Sequence, residues 1–167
     1  MRIEHVAAQL YTLRDHLKTT DQIARTLRQV RRIGYRAVQV SGVGPIDPTE
    51  LAKMLDGEGL VCCATHENGE TILDTPEAVV EKLSILGCDH TAYPYPAGID
   101  FTSMKSVKEF TRRLDAAGAA LRAAGKVLSY HNHDIEFMRV KGTVILDYIY
   151  DNTSPENLKG ELDTHWV

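Results

Sequence analysis

Residues 102–131, TSMKSVKEFTRRLDAAGAALRAAGKVLSYH, join a long amphipathic stretch to a short apolar run, and this pair decides the fold class. The first part carries apolar residues at helical spacing along one stripe: Val107, Phe110, Leu114 and Leu121. This spacing predicts a helix over about 102–124, which ends at Gly125. The run Lys126–His131 is typical of a strand buried on both faces. A helix followed by a buried strand is the repeating unit of a parallel α/β fold.

The same alternation runs along the rest of the chain. Short apolar or β-branched runs predict five further strands, at His5–Tyr11, Arg36–Val40, Leu60–Thr65, Cys88–Tyr93 and Leu158–Leu162. Capping residues and glycine stops predict helices between them, beginning near Asp21, Asp47-Pro48 and Thr75-Pro76, with a shorter one at Val144–Tyr150. Strands that alternate with helices pair in parallel, and the helices cover the sheet.

Two architectures fit this order, an open doubly wound sheet and a (β/α)₈ barrel. No Gly-rich phosphate loop follows any predicted strand, which weakens the nucleotide-binding version of the open sheet and favours the barrel. A full barrel takes about 250 residues, whereas this chain has 167. We therefore expect residues 1–167 to form a single, incomplete barrel domain that holds the first six strands. Its open sheet edges predict self-association.

Composition and charge exclude several classes of protein. The net charge is −4, from 19 Lys and Arg against 23 Asp and Glu, so no basic footprint for nucleic acid is expected. No run reaches the eighteen or so apolar residues of a membrane span, and the first fifteen residues lack the apolar centre of a signal peptide. Three cysteines, two of them adjacent, indicate a reduced, cytoplasmic protein.

Polar and ionisable residues collect where the predicted strands end, which is where parallel α/β proteins place their chemistry. The third strand runs into His66, and the fifth runs into His131 and His133. The last two are two residues apart on a strand, so both side chains point to the same face, here the barrel interior. Two inward imidazoles need polar partners or a metal ion. A lone His66 is more typical of a hydrogen-bonded wall residue than of a ligand.

Two carboxylates complete the candidate set. Asp163 ends the sixth strand inside an apolar stretch, where an ionised carboxylate needs a cation or several donors. Glu136 lies just after the fifth strand, and its position fits a solvated loop residue equally well. Carboxylate and imidazole ligands suit Mn²⁺, Mg²⁺, Co²⁺ or Zn²⁺. Such an ion would polarise a carbonyl or a hydroxyl pair of a small polar substrate.

Three segments resemble the sugar phosphate isomerase/epimerase family of xylose isomerase-like TIM barrels: QLYTLR at 9–14, YHNHDIEF at 130–137 and LDTHW at 162–166. The resemblance covers the whole chain. It implies a divalent ion held by a Glu after the fifth strand, an Asp after the sixth, a His after the seventh and a Glu after the eighth. Asp163 matches the second ligand, and Glu136 is the best match for the first, with His133 competing for that place.

The resemblance also implies roles for the remaining residues. Glu136 is the expected catalytic carboxylate. The expected substrate-binding residues are those of the histidine-rich strand ends: His66, His131, His133, His165 and Trp166. The implied activity is that of a metal-dependent isomerase or epimerase in carbohydrate metabolism. It would act on a sugar or sugar-derived polyol by proton transfer next to a carbonyl.

Two alternatives remain beside this activity. The seventh-strand His and eighth-strand Glu have no counterpart in these 167 residues, so the chain could be inactive as given and act as a sugar-binding or interaction module of the same fold. An abasic-site DNA endonuclease of the same superfamily is less favoured, because it needs more histidine ligands and a basic rim.

Overall fold

Six parallel strands form one sheet in the computed structural model, which describes residues 6–167. In chain order these strands are β1 (Ala7–Gln9), β2 (Ala37–Val40), β3 (Val61–His66), β4 (His90–Tyr93), β5 (Val127–His131) and, after the two strands of a separate hairpin, β8 (Leu158–Glu161). Neighbours in the sheet follow the same order, β1-β2-β3-β4-β5-β8. The predicted parallel α/β sheet is therefore confirmed. His5, placed in the first predicted strand, lies outside the described residues.

Six α-helices connect these strands: α1 (Thr20–Ile33), α2 (Pro48–Gly57), α3 (Gly69–Asp74), α4 (Pro76–Ile85), α5 (Met104–Ala123) and α6 (Ile145–Asp151). Two 3₁₀ helices occupy Leu10–His16 and Ile135–Phe137, and a small antiparallel hairpin pairs β6 (Arg139–Val140) with β7 (Thr143–Val144). Neither α3 nor the hairpin was predicted from the sequence. Among residues 6–167, no helix has both the length and the apolar content that crossing a bilayer requires.

The chain divides into two compact units. The first comprises the described residues up to His66 together with Glu81–His90, and the second comprises Glu67–Val80 and Thr91–Val167. In the first unit β2 pairs in parallel with β1 and with β3, and its register shifts between Val38 and Gln39.

The first unit departs from the sequence prediction at two element ends. The N-cap of α1 is Thr19 rather than Asp21, because Thr19 and Gln22 form a reciprocal capping box two residues earlier. Asp21 instead lies in the first turn, where its charge favours the helix dipole. The first strand ends at Gln9 rather than Tyr11, since the Thr12 hydroxyl donates to the Gln9 carbonyl at 2.7 Å and a 3₁₀ helix begins.

The core of the second unit lies between β5 and α5. Tyr130 is fully buried, and its ring stacks on Tyr93 with centroids 5.9 Å apart. Phe110 of α5 packs its edge against both rings, at 5.2 Å from Tyr93 and 6.1 Å from Tyr130. Leu128 is 1% exposed, so the β5 face that carries Leu128 and Tyr130 is the apolar one. Alternation along the strand then places His131 on the opposite face.

A polar network fixes the loop before β8 onto α5. Asp115 accepts hydrogen bonds from the Ser154 backbone amide at 2.7 Å and from the Asn157 side-chain amide at 3.0 Å. Arg122 donates to Asn157 Oδ1 at 3.0 Å. The backbone at Asn157 lies so close to Gly118 that a Cβ there would be 2.1 Å from the Asn157 carbonyl oxygen. The position of β8 therefore depends on a glycine inside α5.

Gly118→Ala is expected to destabilise the protein by about 1–3 kcal/mol, because the added methyl group overlaps backbone that the Asp115 network holds in place. Helix propensity alone predicts the opposite, a gain of about 1 kcal/mol. Gly57→Ala is the matched control, since a Cβ at Gly57 meets nothing within 4 Å. Urea denaturation of both variants measures the effect. Equal stability of the two would show that α5 and the 154–157 loop move apart freely.

Candidate functional site

The parallel pairing of β5 with β8 brings a histidine and a carboxylate together. His131 is the register partner of Glu161, so their side chains leave the sheet at the same level and on the same face. His131 Nδ1 lies 3.0 Å from Glu161 Oε1, and its Nε2 lies 3.6 Å from Asp163 Oδ2. The His131 residue is 8% exposed. A nearly buried imidazole is thus flanked by two carboxylates at the ends of adjacent strands.

Asn132 holds Asp163 in this position. The Asp163 backbone amide donates to Asn132 Oδ1 at 2.9 Å, and Asn132 Nδ2 donates to the Asp163 carbonyl at 3.3 Å. Asn132 is fully buried, so these bonds are shielded from water and continue the strand pairing beyond the sheet. Asp163 Oδ1 accepts from the His165 backbone amide at 3.0 Å, which leaves Oδ2 as the oxygen nearest His131.

Aromatic rings surround His133 on several sides. Its ring centroid lies 5.0 Å from that of His131, 5.1 Å from Tyr95 and 5.7 Å from Trp166. Trp166 contacts His165 at 4.7 Å and is 39% exposed. The predicted residues His131, His133, His165 and Trp166 therefore form one connected cluster. We call this cluster, with Tyr95, Glu161 and Asp163, the strand-end cluster.

The prediction that strand alternation brings the side chains of His131 and His133 to the same face is wrong. β5 ends at His131, so strand alternation does not apply to His133. Instead, the turn that follows β5 brings the ring of His133 close to that of His131. His133 Nδ1 is buried, and no described residue forms a hydrogen bond to it. A buried ring nitrogen without such a bond is suited to a ligand or an ordered water.

Burial lowers the pKa of His133 below its usual 6.5, and the nearby His131 lowers it further, while Glu136 and Asp163 act in the opposite direction. The folded state therefore binds a proton at His133 less readily than the unfolded chain does, so this residue stabilises the fold above about pH 6.5. We expect that contribution to be lost as pH falls from 6.5 through the lower folded pKa. Melting temperatures of wild type and His133→Gln between pH 4.5 and 8 measure it. Parallel pH profiles would contradict the expectation.

Glu136 is fully buried on the 3₁₀ turn, and both its oxygens accept hydrogen bonds. The Tyr130 hydroxyl donates to Oε1 and the His133 backbone amide donates to Oε2, each at 2.7 Å. Burial and the Glu136 charge raise the pKa of Tyr130 well above 10, which keeps the donor protonated. These contacts make Glu136 the anchor of the turn that carries His133. Its assignment as a metal ligand and catalytic carboxylate stays a prediction.

His66 belongs to the first unit, at the end of β3. Its Nδ1 lies 3.0 Å from the Ser41 hydroxyl oxygen, and the residue is half-buried. This hydrogen bond agrees with the interpretation of His66 as a wall residue. Its predicted contact with substrate stays a prediction.

Two residues of the strand-end cluster, Glu161 and Tyr95, were not among the site residues predicted from the sequence. Glu161 was included in the predicted strand Leu158–Leu162 and read as part of it, although it lies near the end of that strand and two residues before Asp163. That spacing was an available signal. Tyr95 lies two residues after the end of β4, but nothing in the sequence indicates that its ring contacts His133.

The donor set of the strand-end cluster fits a divalent cation. With Glu161 accepting from Nδ1 of His131, the ring would present Nε2 toward Asp163. A carboxylate on the far nitrogen is the usual way in which a metal-binding histidine is oriented. Imidazole nitrogen and carboxylate oxygen together suit Mn²⁺, Mg²⁺, Co²⁺ and Zn²⁺, without a choice among them.

No protein-family model and no curated protein matches the sequence. Solved structures do. A sugar phosphate isomerase/epimerase from Parabacteroides distasonis ATCC 8503 superposes with a TM-score of 0.84 at 23% identity, over 99% of this chain and 67% of that one. An L-ribulose 3-epimerase superposes with a TM-score of 0.71 at 16% identity, over 95% of this chain and 60% of that one. A xylose isomerase-like TIM barrel protein from Mycobacterium smegmatis, in complex with magnesium, superposes with a TM-score of 0.66 at 13% identity, over 95% of this chain and 63% of that one.

These similarities agree with the fold that the three sequence segments implied. The identities lie below 25%, so they establish the architecture and not the activity. The chain spans about two thirds of the length of the Parabacteroides protein. The six-stranded sheet with its helices has the fold of the xylose isomerase-like TIM barrels, among which sugar phosphate isomerases/epimerases are found.

Proposed function

We propose that the protein is an isomerase or epimerase that moves a proton next to a carbonyl of a sugar or sugar-derived polyol. The observation that carries the proposal is the position of His131 between Glu161 and Asp163, at the carboxyl ends of two adjacent parallel strands. Active sites of this fold class lie at that end of the sheet. The similarity to an L-ribulose 3-epimerase supports the substrate class.

The proposal includes a divalent ion held by Asp163 and His131, with Glu161 orienting the imidazole ring. When bound, such an ion supplies Lewis-acid polarisation of substrate oxygens. Its identity among Mn²⁺, Mg²⁺, Co²⁺ and Zn²⁺ is left to metal analysis. The magnesium complex of a structure with the same fold supports a metal-binding role.

Proton transfer requires a base that can reach the substrate carbon. The side chains of Glu161 and Asp163 are 29% and 31% exposed, whereas Glu136 is fully buried and bonded through both oxygens. Solvent access therefore favours Glu161 or Asp163 over Glu136 as the group that takes the proton. Glu136 acts, in this proposal, as a positioning residue for His133.

Substrate binding is assigned to the rings of the strand-end cluster. Tyr95 and Trp166 provide apolar surface for the faces of a sugar, and His133 Nδ1 provides a buried partner for a hydroxyl group. Contacts of the substrate with His66 and His165 remain part of the proposal.

A cytoplasmic location, the lack of nucleic-acid partners and self-association through sheet edges stay predictions from the sequence.

A substrate screen with Mn²⁺ present tests the proposal, using ketoses, inosose-type cyclitols and 3-keto-sugars. Conversion in at least one class, absent from Asp163→Asn, is expected. Sugar binding without conversion in any class would support the alternative, a binding module. Salt-dependent DNA binding without sugar conversion would support the endonuclease.

A further inference from the structure

An open groove of about 630 Å³ lies in the second unit, between the first half of α5 and the turn that joins β6 to β7. One apolar and five charged residues line it: Met104, Lys105, Lys108, Glu109, Arg112 and Lys141. We call it the α5 groove. Four of its five charged residues are cations, although the chain as a whole has a net charge of −4. The groove is therefore opposite in sign to the rest of the chain.

One of the four cations is neutralised within the groove. Arg112 donates to both carboxylate oxygens of Glu109, from Nε at 3.1 Å and from Nη2 at 2.7 Å, which is a bidentate ion pair. The side chains of Lys105, Lys108 and Lys141 form no ion pair and no hydrogen bond with any residue that the structure describes, and all three residues are exposed. Three uncompensated positive charges therefore line the groove.

Two of these lysines lie where the local structure disfavours them. Lys105 is in the first turn of α5, where the helix dipole favours acidic residues and where this helix has none. Lys141 has φ +52°, the left-handed region that glycine and asparagine usually occupy in a hairpin turn. It is the only residue other than glycine with a positive φ among residues 6–167. Departures from local preference are expected at functional positions, and both of these place a cation at the same groove.

The chain also carries an acidic surface that complements the groove. Residues 54–81 contain seven acidic residues and no lysine or arginine. Two of the seven, Glu77 and Glu81, are exposed on α4 and lie four residues apart, so they share one face of that helix. Neither carboxylate forms an ion pair or a hydrogen bond with a described residue. Lys105 and Lys108 lie three residues apart on α5, so both charge pairs have a spacing of about 5–6 Å between Cβ atoms.

From this match we propose that the α5 groove binds α4 of a second copy of the chain, with Glu77 and Glu81 against the lysines of the groove. The contact is heterologous, because the groove of one copy meets a different surface of the next copy, and such contacts produce rings or open chains. The inference concerns assembly and does not depend on the proposed function. It also differs from association through sheet edges, because contacts between exposed charges weaken as salt is added.

Nucleic acid fits the groove less well than an acidic helix does. Proteins that bind single strands combine a basic groove with aromatic rings on which the bases stack. No aromatic residue lines the α5 groove among the residues that the structure describes. The net charge of −4 also opposes the approach of a long polyanion.

Charge reversal tests the proposal. Analytical ultracentrifugation over a range of protein concentrations is expected to show self-association of the wild type at low salt, which weakens as salt is raised. The double variants Lys105→Glu/Lys108→Glu and Glu77→Lys/Glu81→Lys are each expected to raise the dissociation constant about tenfold or more. One makes the net charge more negative and the other less negative, so net charge cannot explain a loss in both. Lys53→Glu is the matched control, because Lys53 is exposed on α2 and does not line the groove.

A mixture of the two double variants gives the sharpest result. Opposite charges can then meet only between unlike copies, so the mixture is expected to associate at a concentration at which each variant alone is monomeric. A monomeric wild type at low salt, association that neither double variant weakens, or a mixture that stays monomeric would overturn the proposal. A monomeric wild type that binds a polyglutamate peptide or DNA through Lys105 and Lys108 would also overturn it, and would assign the groove to another partner. Melting temperatures verify that each variant is folded.

Discussion

Replacement of Asp163 by asparagine is expected to reduce turnover about a hundredfold or more, with little change in the melting temperature. The amide keeps the shape of the side chain and an oxygen that can accept from the His165 backbone amide. The backbone bonds between Asp163 and Asn132 are also kept. What is lost is the negative charge 3.6 Å from His131 Nε2, on which both cation binding and proton transfer depend in the proposed mechanism.

Asp151→Asn is the control for this substitution, because it removes the same charge from an exposed position at the end of α6. We expect its turnover and bound metal to equal those of the wild type. Initial rates, metal content and melting temperature are measured for both variants. A large fall in the melting temperature of Asp163→Asn, with metal content unchanged, would show that Asp163 has a structural role instead.

The largest loss of stability is expected for Glu136→Ala. This change leaves two buried donors, the Tyr130 hydroxyl and the His133 backbone amide, without their acceptors. Each unsatisfied donor costs about 1–3 kcal/mol, so the free energy of unfolding should fall by about 2–6 kcal/mol. Urea denaturation measures this fall. The exposed Glu81→Ala provides the control and should lie within about 0.5 kcal/mol of the wild type.

A second variant shows whether the missing acceptor is the cause. Adding Tyr130→Phe to Glu136→Ala removes one of the two unsatisfied donors, so the double variant should recover part of the lost stability. If Glu136→Ala instead abolished metal binding and left stability unchanged, Glu136 would be a ligand, as the family resemblance implies. The two roles of Glu136 are therefore distinguishable by stability and metal content together.

Much of the fold could be predicted from local patterns. Apolar runs and helical spacing gave the order of strands and helices, and the Asp47-Pro48 start of α2 is confirmed with its side-chain cap. The errors come from short polar contacts. A hydrogen bond from Thr12 to Gln9 ends β1 early, and the six residues of α3 are too few to give a periodic signal. Asn68, whose side chain caps α3, is the residue from which the start of this helix could have been predicted.

The candidate site could be predicted in part. Asp163, His131 and His133 were chosen by their place at strand ends, and the structure brings the three together in the second unit. Glu161 could not be linked to His131 from sequence, because their pairing depends on the parallel register of β5 and β8 across 30 residues of chain. The burial of Glu136 could not be predicted from the sequence either, since a glutamate after a strand fits a solvated loop equally well.

Deuterium incorporation tests the central claim most directly. The protein, loaded with Mn²⁺, is incubated in D₂O with each of the three sugar classes, and the recovered sugars are analysed by NMR. Proton transfer next to a carbonyl predicts deuterium at that carbon in at least one class with the wild type and none with Asp163→Asn. Absence of deuterium from every class, with Mn²⁺ bound to the wild-type protein, would contradict the assignment of the strand-end cluster as an isomerase or epimerase centre.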